Sequence, residues 1–245
     1  MDFIILGAGH GRPNLNNHLS SIYVENQGSK LLLDCGEGTS WQLLKHNLNH
    51  DALDAIIISH YHPDHIAGIF MVLQMFYLEN RTKPLMLFVP ERPSDLLDAI
   101  HLFYTFEQRF PFSLKVHIMD ELELYYPEIT PVQNDHLSGY TQFVNSMKYP
   151  NMLMAYSFLI EDNERSLVYT SDLETTNDIK HLFDKCHTLI IDAMHPDPNF
   201  IIDTQNHSVE RIILTHGISS ELDNWLKNNP THRFEFAKED IKYSL

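Results

Sequence analysis

Four potential metal ligands lie within six residues of this chain: His60, His62, Asp64 and His65. They follow a run of isoleucines at 56–58 that predicts a buried strand, and they precede an apolar run that predicts a helix. Two histidines one residue apart at a strand end can turn both imidazoles toward one ion, and the Asp-His pair points to a second position beside it. Imidazole with carboxylate is the ligand mix of zinc, manganese or iron, and not of calcium. The spacing therefore predicts a metal site rather than a His-rich surface loop.

The residues around this cluster resemble the signature of the metallo-β-lactamase superfamily. The stretch at 33–39 reads Leu-Asp-Cys-Gly-Glu-Gly-Thr and the opening at 6–9 reads Leu-Gly-Ala-Gly, and both are similar to the ribonuclease Z branch. The resemblance implies an α/β fold, a four-layer αββα metallo-β-lactamase-like sandwich, with residues 1–245 as a single domain. It also implies that the first loop lines the mouth of the site, so that Arg12, Asn14, Asn16, Asn17 and His18 contact substrate; a polar turn is the alternative.

The same resemblance implies the remaining metal ligands. A predicted strand at 129–134 delivers His136 to its end, as in the third metal motif of the superfamily, although a structural histidine is the alternative. Tyr-Thr-Ser-Asp172 is similar to the fourth motif and Thr-His216-Gly-Ile-Ser to the fifth. The expected cofactors are two divalent ions, zinc first and manganese as the alternative. The implied arrangement places one ion on His60, His62 and His136, a second on Asp64, His65 and His216, and Asp172 on both.

Three further residues are candidates for handling the proton of the reaction: Asp192, His195 and His207. Ribonuclease Z has a Glu paired with a later His at the corresponding place, whereas the Asp192-Ala193 pair resembles the cyclic-phosphate phosphodiesterase relatives. The helix that normally precedes the last ligand is almost absent between His207 and His216. Asp64 is expected to orient the attacking water in addition to binding metal, and Asp34 to brace the metal loop from behind.

Net charge limits the substrate. The chain has 17 Lys and Arg, a net charge of −16, and no cluster of basic residues. Proteins that hold a long nucleic acid neutralise phosphates with Lys and Arg, so long RNA is not an expected partner. A small anion is compatible, because two bound cations would make the site locally positive.

Cysteine usage and apolar runs predict the compartment. Cys35 and Cys186 are too few for a disulfide framework, which suits a reducing environment. The N-terminus has no basic segment followed by an apolar one, and the longest apolar run, 66–78, contains Gln74 and is too short to span a bilayer. We therefore expect a cytoplasmic protein with no membrane partner.

The segment 139–154 is rich in Tyr, Phe and Met and contains one charged residue, Lys148. An exposed segment of this composition is a liability unless it covers the site or packs on a second subunit. We interpret it as a lid or dimer arm, with a β-hairpin as the alternative, and we expect a homodimer.

The preferred function is a metal-dependent phosphodiesterase that hydrolyses a small phosphodiester, in the first place a cyclic nucleotide, by a hydroxide shared by two divalent ions. The short, acidic chain is similar to arm-less relatives that include phage-encoded anti-Pycsar enzymes. One alternative is tRNA 3′ processing, for which ribonuclease Z uses a long basic arm. Another is hydrolysis of a lactone, sulfate ester or thioester, and a third is a binding module with structural metals.

Apolar periodicity also predicts the regular elements outside the motifs. We expect helices over 64–80, 93–110 and 177–185, and a capped helix after Ser219 or Ser220. Strands are expected at 3–6, 19–25, 30–34, 85–89, 114–119, 156–161, 166–170, 188–191 and 211–215, with a short one near Phe234.

Overall fold

The computed structural model describes residues 1–245, with the exception of the side chain of His50. The chain divides into two compact units, Met1–Leu122 with Lys238–Ser244, and Glu123–Ala237 with Leu245. We call them unit 1 and unit 2. Strands and helices are numbered along the whole chain.

Unit 1 is built on one large mixed sheet. In the described residues it has seven strands in the order β13-β1-β2-β3-β4-β5-β6. The strands are β1 (Asp2–Gly7), β2 (Ser21–Asn26), β3 (Ser29–Leu33), β4 (Ala55–Ile57), β5 (Leu85–Val89), β6 (Leu114–Ile118) and β13 (Lys242–Ser244). The helices are α1 (Thr39–Lys45), α2 (Pro63–Ile66), α3 (Ile69–Leu78) and α4 (Pro93–Leu102), with 3₁₀ turns at His50–Ala52, Glu107–Arg109 and Met119–Glu121.

The parallel strands at the centre of this sheet determine where the His-rich loop lies. Strands β3, β4, β5 and β6 pair in parallel, and β4 is buried along its whole length because Ala55, Ile56 and Ile57 face apolar neighbours on both sides. The carboxyl ends of parallel strands meet at one edge of a sheet, which is where α/β proteins build their sites. Asp34 follows β3 and the His-rich loop follows β4, so both lie at this edge.

The helix expected over 64–80 is interrupted at Gly68. Its amide donates to the carbonyl of Cys35, 2.8 Å away, instead of to a carbonyl one turn back in its own helix. A Cβ on Gly68 would lie 2.1 Å from the carbonyl oxygen of Gly36, so the close approach of these two backbones requires glycine here. The amide of Cys35 in turn donates to the carbonyl of His65. The two hydrogen bonds at this interruption therefore connect the His-rich loop to the segment after β3.

The helix expected over 93–110 is also shorter than predicted. Strand β5 has the predicted bounds, but α4 ends at Leu102. Tyr104 adopts a left-handed backbone with a φ of 59°, which cannot continue a right-handed helix. The aromatic residues that follow pack on one another, and the rings of Phe110 and Phe112 stack 4.7 Å apart.

Unit 2 carries the second sheet, which in the described residues has six strands in the order β12-β11-β10-β9-β8-β7. The strands are β7 (Ile129–Gln133), β8 (Tyr156–Asp162), β9 (Arg165–Tyr169), β10 (Thr188–Asp192), β11 (Arg211–Thr215) and β12 (Phe234–Phe236). The helices are α6 (Thr141–Met147), α7 (Lys180–Phe183), α8 (Pro198–Asp203) and α9 (Ser220–Asn228), with 3₁₀ turns at Ser138–Tyr140 and Thr204–Asn206; α5 (Leu122–Tyr125) covers the boundary in sequence between the units.

Strand directions bring four loops of unit 2 to one edge. Strands β9, β10, β11 and β12 are parallel. Strand β8 is antiparallel to both β7 and β9, so β7 runs in the same direction as β9. The loops that follow β7, β9, β10 and β11 therefore leave the sheet at the same edge. They carry the four candidate residues His136, Asp172, His195 and His216.

Three helical segments of unit 2 differ from the expectation. The segment 139–154 forms α6 and an irregular stretch, so the β-hairpin alternative is wrong. The helix expected over 177–185 is limited to Lys180–Phe183. Helix α8, which was not predicted, begins with Pro198, and the carboxylate of Asp197 caps it by accepting from the amide of Asn199. Helix α9 has the predicted cap, since Ser219 Oγ accepts from the amide of Leu222.

Across the described residues, no helix combines the length and the apolar character that crossing a bilayer requires.

Candidate metal centre

Unit 1 supplies four of the predicted ligands from one loop. His60 and His65 are fully buried, and Asp64 is 8% exposed. Nε2 of His60 lies 3.1 Å from Nδ1 of His62, and Nε2 of His65 lies 3.6 Å from Oδ2 of Asp64. The loop thus presents two pairs of donor atoms, as the sequence spacing predicts. The Tyr61 hydroxyl donates to the carbonyl of Glu91 and ties the loop to the segment that follows β5.

A buried carboxylate fixes the orientation of this loop. Asp34 is inaccessible to solvent, and its Oδ1 accepts from the amide of Ser59 at 2.7 Å. Its Oδ2 lies 2.8 Å from Nδ1 of His65 and 3.0 Å from Oγ of Ser59, and that hydroxyl is 3.0 Å from Nδ1 of His60. A carboxylate only accepts, so Nδ1 of His65 carries the proton and Nε2 keeps its lone pair for a ligand. Asp34 therefore braces both histidines, as expected from the sequence.

Unit 2 places one carboxylate between two predicted histidine ligands. Oδ2 of Asp172 lies 3.5 Å from Nε2 of His136 and 3.3 Å from Nε2 of His216. All three side chains are buried, with Asp172 at 2% exposure. A single carboxylate that faces two histidine rings is a donor that two cations can share. The three loops that carry these residues meet as the superfamily resemblance implies.

The loops of unit 2 are connected by the side-chain amide of a residue that sequence reasoning missed. Asn134 is 6% exposed, and its Oδ1 accepts from the amide of His136. Its Nδ2 lies 3.0 Å from Oγ of Ser157 and 3.2 Å from the carbonyl of Asp172. The neighbouring Asp135 accepts from the amide and the hydroxyl of Thr175. Together they join the loop of His136 to the loop of Asp172. The only local signal was their position directly before His136.

The backbone is left-handed at three positions of the site. Asp34, Ser171 and His216 have φ values of 58°, 51° and 61°, and each follows the carboxyl end of a parallel strand. Such backbone costs about 1–3 kcal/mol for a residue other than glycine, and it persists where the surrounding structure enforces it. Each of these residues lies just after the end of its strand, where the chain leaves the sheet.

The structure separates the proton-handling candidates. Asp192 is fully buried, and its Oδ2 lies 2.9 Å from Nδ1 of His195 while accepting from the amide of Leu173. The His195 ring is stacked on His216 and contacts His136 edge-on, with ring centroids 5.1 and 5.0 Å apart. His207 lies elsewhere in unit 2, with its Nδ1 2.8 Å from Asp184 Oδ1. The structure thus brings His195 to Asp192, but it pairs His207 with Asp184.

The donor chemistry fits divalent metal ions. Buried imidazole nitrogens and carboxylate oxygens face one another in each unit, and in unit 2 Asp172, Asp192 and His195 each offer an atom within 4.8 Å of the others. Nitrogen with oxygen donors suits zinc or manganese, and the braced rings of His65 and His60 match the carboxylate-supported ligands of such sites. These donor sets, at the edges of two α/β sheets, define a metal-dependent hydrolase of the metallo-β-lactamase superfamily.

Comparison with known proteins supports this class. A ribonuclease Z of Alkaliphilus oremlandii is 34% identical over 116 residues, which are 47% of this chain and 36% of that protein. The metallo-β-lactamase fold protein YhfI of Bacillus subtilis covers 99% of this chain with a TM-score of 0.75 and 19% identity, and the match includes 98% of YhfI. A diphosphatase of the PhnP family covers 100% of this chain and 97% of its own, with a TM-score of 0.71 and 17% identity. At these identities the two structures show the fold.

The family is defined more narrowly by a profile match. The chain belongs to the family described as Anti-Pycsar protein Apyc1, whose profile matches residues 1–216. The matches to the first curated relatives, each described as ribonuclease Z, span less than half of the length of those relatives.

Proposed function

We propose that this chain is a phosphodiesterase that hydrolyses a small phosphodiester, in the first place a cyclic nucleotide. The observation that carries the proposal is the arrangement in unit 2, where Asp172 faces His136 and His216 while His195, held by Asp192, lies beside them. A shared carboxylate with an additional histidine suits a reaction that needs both charge neutralisation and a proton donor. Membership of the Anti-Pycsar Apyc1 family supports the same conclusion.

We further propose that the donors of both units act together, as the resemblance implies. His60, His62 and His136 would hold one ion, Asp64, His65 and His216 the other, and Asp172 both. When bound, the ions would supply Lewis-acid polarisation of phosphate oxygens and lower the pKa of a coordinated water. Zinc is the first candidate and manganese the second.

The residues of the chain then have distinct roles. Asp34 holds the imidazoles of His65 and, through Ser59, of His60 in the orientation that ligation requires. Asp64 both ligates and orients the attacking water. His195 donates the proton to the leaving oxygen from Nε2, because its Nδ1 is engaged by Asp192. Asp192 does not contact the substrate in this scheme; it orients His195.

Charge supports a small substrate over a long nucleic acid. The net charge of −16 opposes binding along an RNA backbone, whereas a cyclic nucleotide requires neutralisation only at one phosphate. The second candidate function is tRNA 3′ processing, which is favoured by the similarity to ribonuclease Z. Lactones, sulfate esters and thioesters are the remaining candidate substrates.

The decisive experiment offers metal-loaded protein a panel of substrates: 3′,5′- and 2′,3′-cyclic nucleotides, a precursor tRNA and chromogenic non-phosphate esters. We expect cyclic nucleotides to be consumed, and consumption of the precursor tRNA alone would replace the proposal with the second candidate. His62→Ala and Asp172→Ala should abolish turnover without loss of the fold, while the matched control His181→Ala, an exposed histidine of α7, should retain it. Wild-type rates in both ligand variants would refute the mechanism, and turnover by the wild type would exclude a purely structural role for the metals.

The assignment of the proton donor has its own test. His195→Ala should lower kcat by about 10²–10⁴-fold, the usual contribution of a general acid. His207→Ala removes a contact with Asp184 and should leave kcat close to that of the wild type. The reverse pattern would transfer the role to His207.

We also propose a homodimer in which the segment 139–154 contributes to the contact. Its exposed side chains include Tyr140, Phe143, Met147, Tyr149 and Met152. Sedimentation velocity should show a dimer that Phe143→Glu weakens; a monomeric wild type would remove this part of the proposal. A cytoplasmic location is supported by two free, buried cysteines, and recovery of the protein in an extracellular fraction would contradict it.

A further inference from the structure

The C-terminal segment of the chain belongs to unit 1 and reaches its first loop. Strand β13 pairs with β1, with Tyr243 opposite Phe3. Three residues before β13, the side chain of Glu239 is 9% exposed, in a tail that is otherwise largely exposed. A carboxylate that is buried at this point needs partners, and those partners are in the loop between β1 and β2.

The first residue of that loop and a residue near its end both bind to the one carboxylate. Oε1 of Glu239 accepts from the amide of Ala8 at 3.1 Å and from the amide of His18 at 2.9 Å. Its Oε2 lies 2.9 Å from Nδ1 of His18 and 3.4 Å from Nε2 of Gln42, an α1 side chain that also donates to the carbonyl of Leu6. Ala8 begins the loop, and His18 lies three residues before β2. Glu239 therefore closes the loop at its base.

The middle of the loop lies against a predicted metal ligand. A Cβ added to Gly11 would be 3.3 Å from Oδ2 of Asp64, so the backbone of the loop passes beside this carboxylate with little room for a side chain between them. Arg12 comes next, and its side chain is exposed. The loop thus places the backbone next to Arg12 beside Asp64, in a chain that has only 17 Lys and Arg. Arginine matches phosphate oxygens with a planar pair of donors.

We propose that Glu239 is a positioning residue that holds the loop 8–18 in place, so that Arg12 beside Asp64 binds a phosphate oxygen of the substrate. The role of Arg12 rests on the proposed phosphodiesterase function. The closure of the loop by Glu239 does not depend on it. No element of the predicted metal motifs includes either residue.

The test combines amide exchange with kinetics in three variants. In Glu239→Ala, hydrogen exchange resolved by NMR should accelerate at least tenfold at the amides of Ala8 and His18, because their acceptor is removed. Exchange at Phe3 and Ile4 of β1 should stay unchanged. KM for the cyclic nucleotide should rise about tenfold with little change in kcat, and the metal content should equal that of the wild type. Glu239→Gln keeps one acceptor oxygen and should give intermediate values.

The matched control is Asp240→Asn, the next residue, which forms an exposed ion pair with Lys45. It should leave exchange and KM unchanged. Arg12→Ala should also raise KM about tenfold, and the double variant Arg12→Ala with Glu239→Ala should be no worse than either single variant, since both changes remove the same contact.

Different outcomes overturn different parts. Unchanged exchange at Ala8 and His18 in Glu239→Ala would refute the closure of the loop. Faster exchange with an unchanged KM, or additive effects of the two substitutions, would refute the role of Arg12. If Glu239→Ala does not fold, the same comparisons are made with Glu239→Gln. A wild type that hydrolyses no phosphodiester would refute the proposed function, while the exchange data would still decide the role of Glu239.

Discussion

Buried carboxylates decide which nitrogen two histidines of the site present. Asp34 engages Nδ1 of His65, and Asp192 engages Nδ1 of His195. In both pairs Nε2 is left for the proposed role, which is that of a metal ligand in His65 and that of a proton donor in His195. Two chemically identical side chains thus acquire different roles from their surroundings.

The bracing role of Asp34 can be measured by substitution. Asp34→Asn preserves size and tolerance of the left-handed backbone, but its amide cannot accept from Ser59 and His65 as a carboxylate does. Metal affinity should fall about 10–100-fold, the usual cost of losing such support. Isothermal titration of metal-free protein with zinc measures it, and affinity equal to that of the wild type would contradict the role.

The two thiols should be unreactive in the folded protein. Burial raises the pKa of Cys186 to about 12 and raises the pKa of Cys35 further. Since the thiolate is the nucleophile, iodoacetamide at pH 8 should modify neither residue of the native protein and both in denaturant. Mass spectrometry of the alkylated peptides checks this, and rapid modification of native Cys35 would show that the segment after β3 opens.

At the scale of elements, the unit 2 site depends on how neighbouring strands end. Strands β7 and β9 both terminate at the edge that carries His136 and Asp172, and Asn134 connects their loops through Ser157 of β8. The connection consists of hydrogen bonds within the protein and needs no metal. It can therefore be tested through the free energy of unfolding of the metal-free protein.

Asn134→Ala should destabilise the metal-free protein by about 1–3 kcal/mol, because buried donors and acceptors lose their partner. Urea denaturation gives the free energy of unfolding. The control Asn228→Ala removes an exposed amide that bonds within α9 and should change stability by no more than about 0.5 kcal/mol. Equal effects of the two substitutions would show that Asn134 does not connect the loops.

The pairing of β13 with β1 should weaken in acid. Hydrogen bonds from Lys242 and Ser244 hold the pKa of Asp2 below its ordinary value of 3.8. A lowered carboxyl pKa stabilises the folded state above the ordinary value, and the contribution is lost as the pH falls through the lower folded value. Glu25, whose pKa is lowered mainly by Lys30, acts in the same direction.

Amide exchange at Ile4 and Tyr243 should therefore become faster, relative to the rest of unit 1, below about pH 4. In Asp2→Asn the share of this acid-induced rise in exchange rate that comes from Asp2 should disappear. The rise that remains should follow the protonation of Glu25. If the exchange rates of Asp2→Asn equal those of the wild type at every pH, Asp2 does not contribute.

On the scale of the whole molecule, metal binding should be coupled to stability. Ions that bind only the folded chain stabilise it by about 2.7 kcal/mol at 100 times Kd. Removal of metal with a chelator should therefore lower Tm, and re-addition of zinc should restore it. In His62→Ala and Asp172→Ala the Tm should respond less to metal than in the wild type. A Tm that is independent of metal in the wild type would contradict the proposed centre.

Local pattern was sufficient for much of this protein. Strands β5 and β11 and the cap of α9 depend on residues that are adjacent in sequence, and the structure has them as predicted. The interruption at Gly68 depends on contact with Gly36, which periodicity along one helix does not reveal. The preference for His195 over His207 depends on their partners, because His195 bonds to Asp192 whereas His207 bonds to Asp184. These pairs form only after the strands have paired.

The role of Glu239 is the clearest case of what tertiary structure decided. In the sequence it is one acid of an acidic tail, 221 residues from His18. Only the pairing of β13 with β1 brings it to the first loop, where burial makes its hydrogen bonds obligatory. The sequence by itself determined which chemistry the chain can carry, because ligand identity and spacing are local properties. Folding decided which residues orient that chemistry, because hydrogen bonds between distant segments exist only after the sheets have formed.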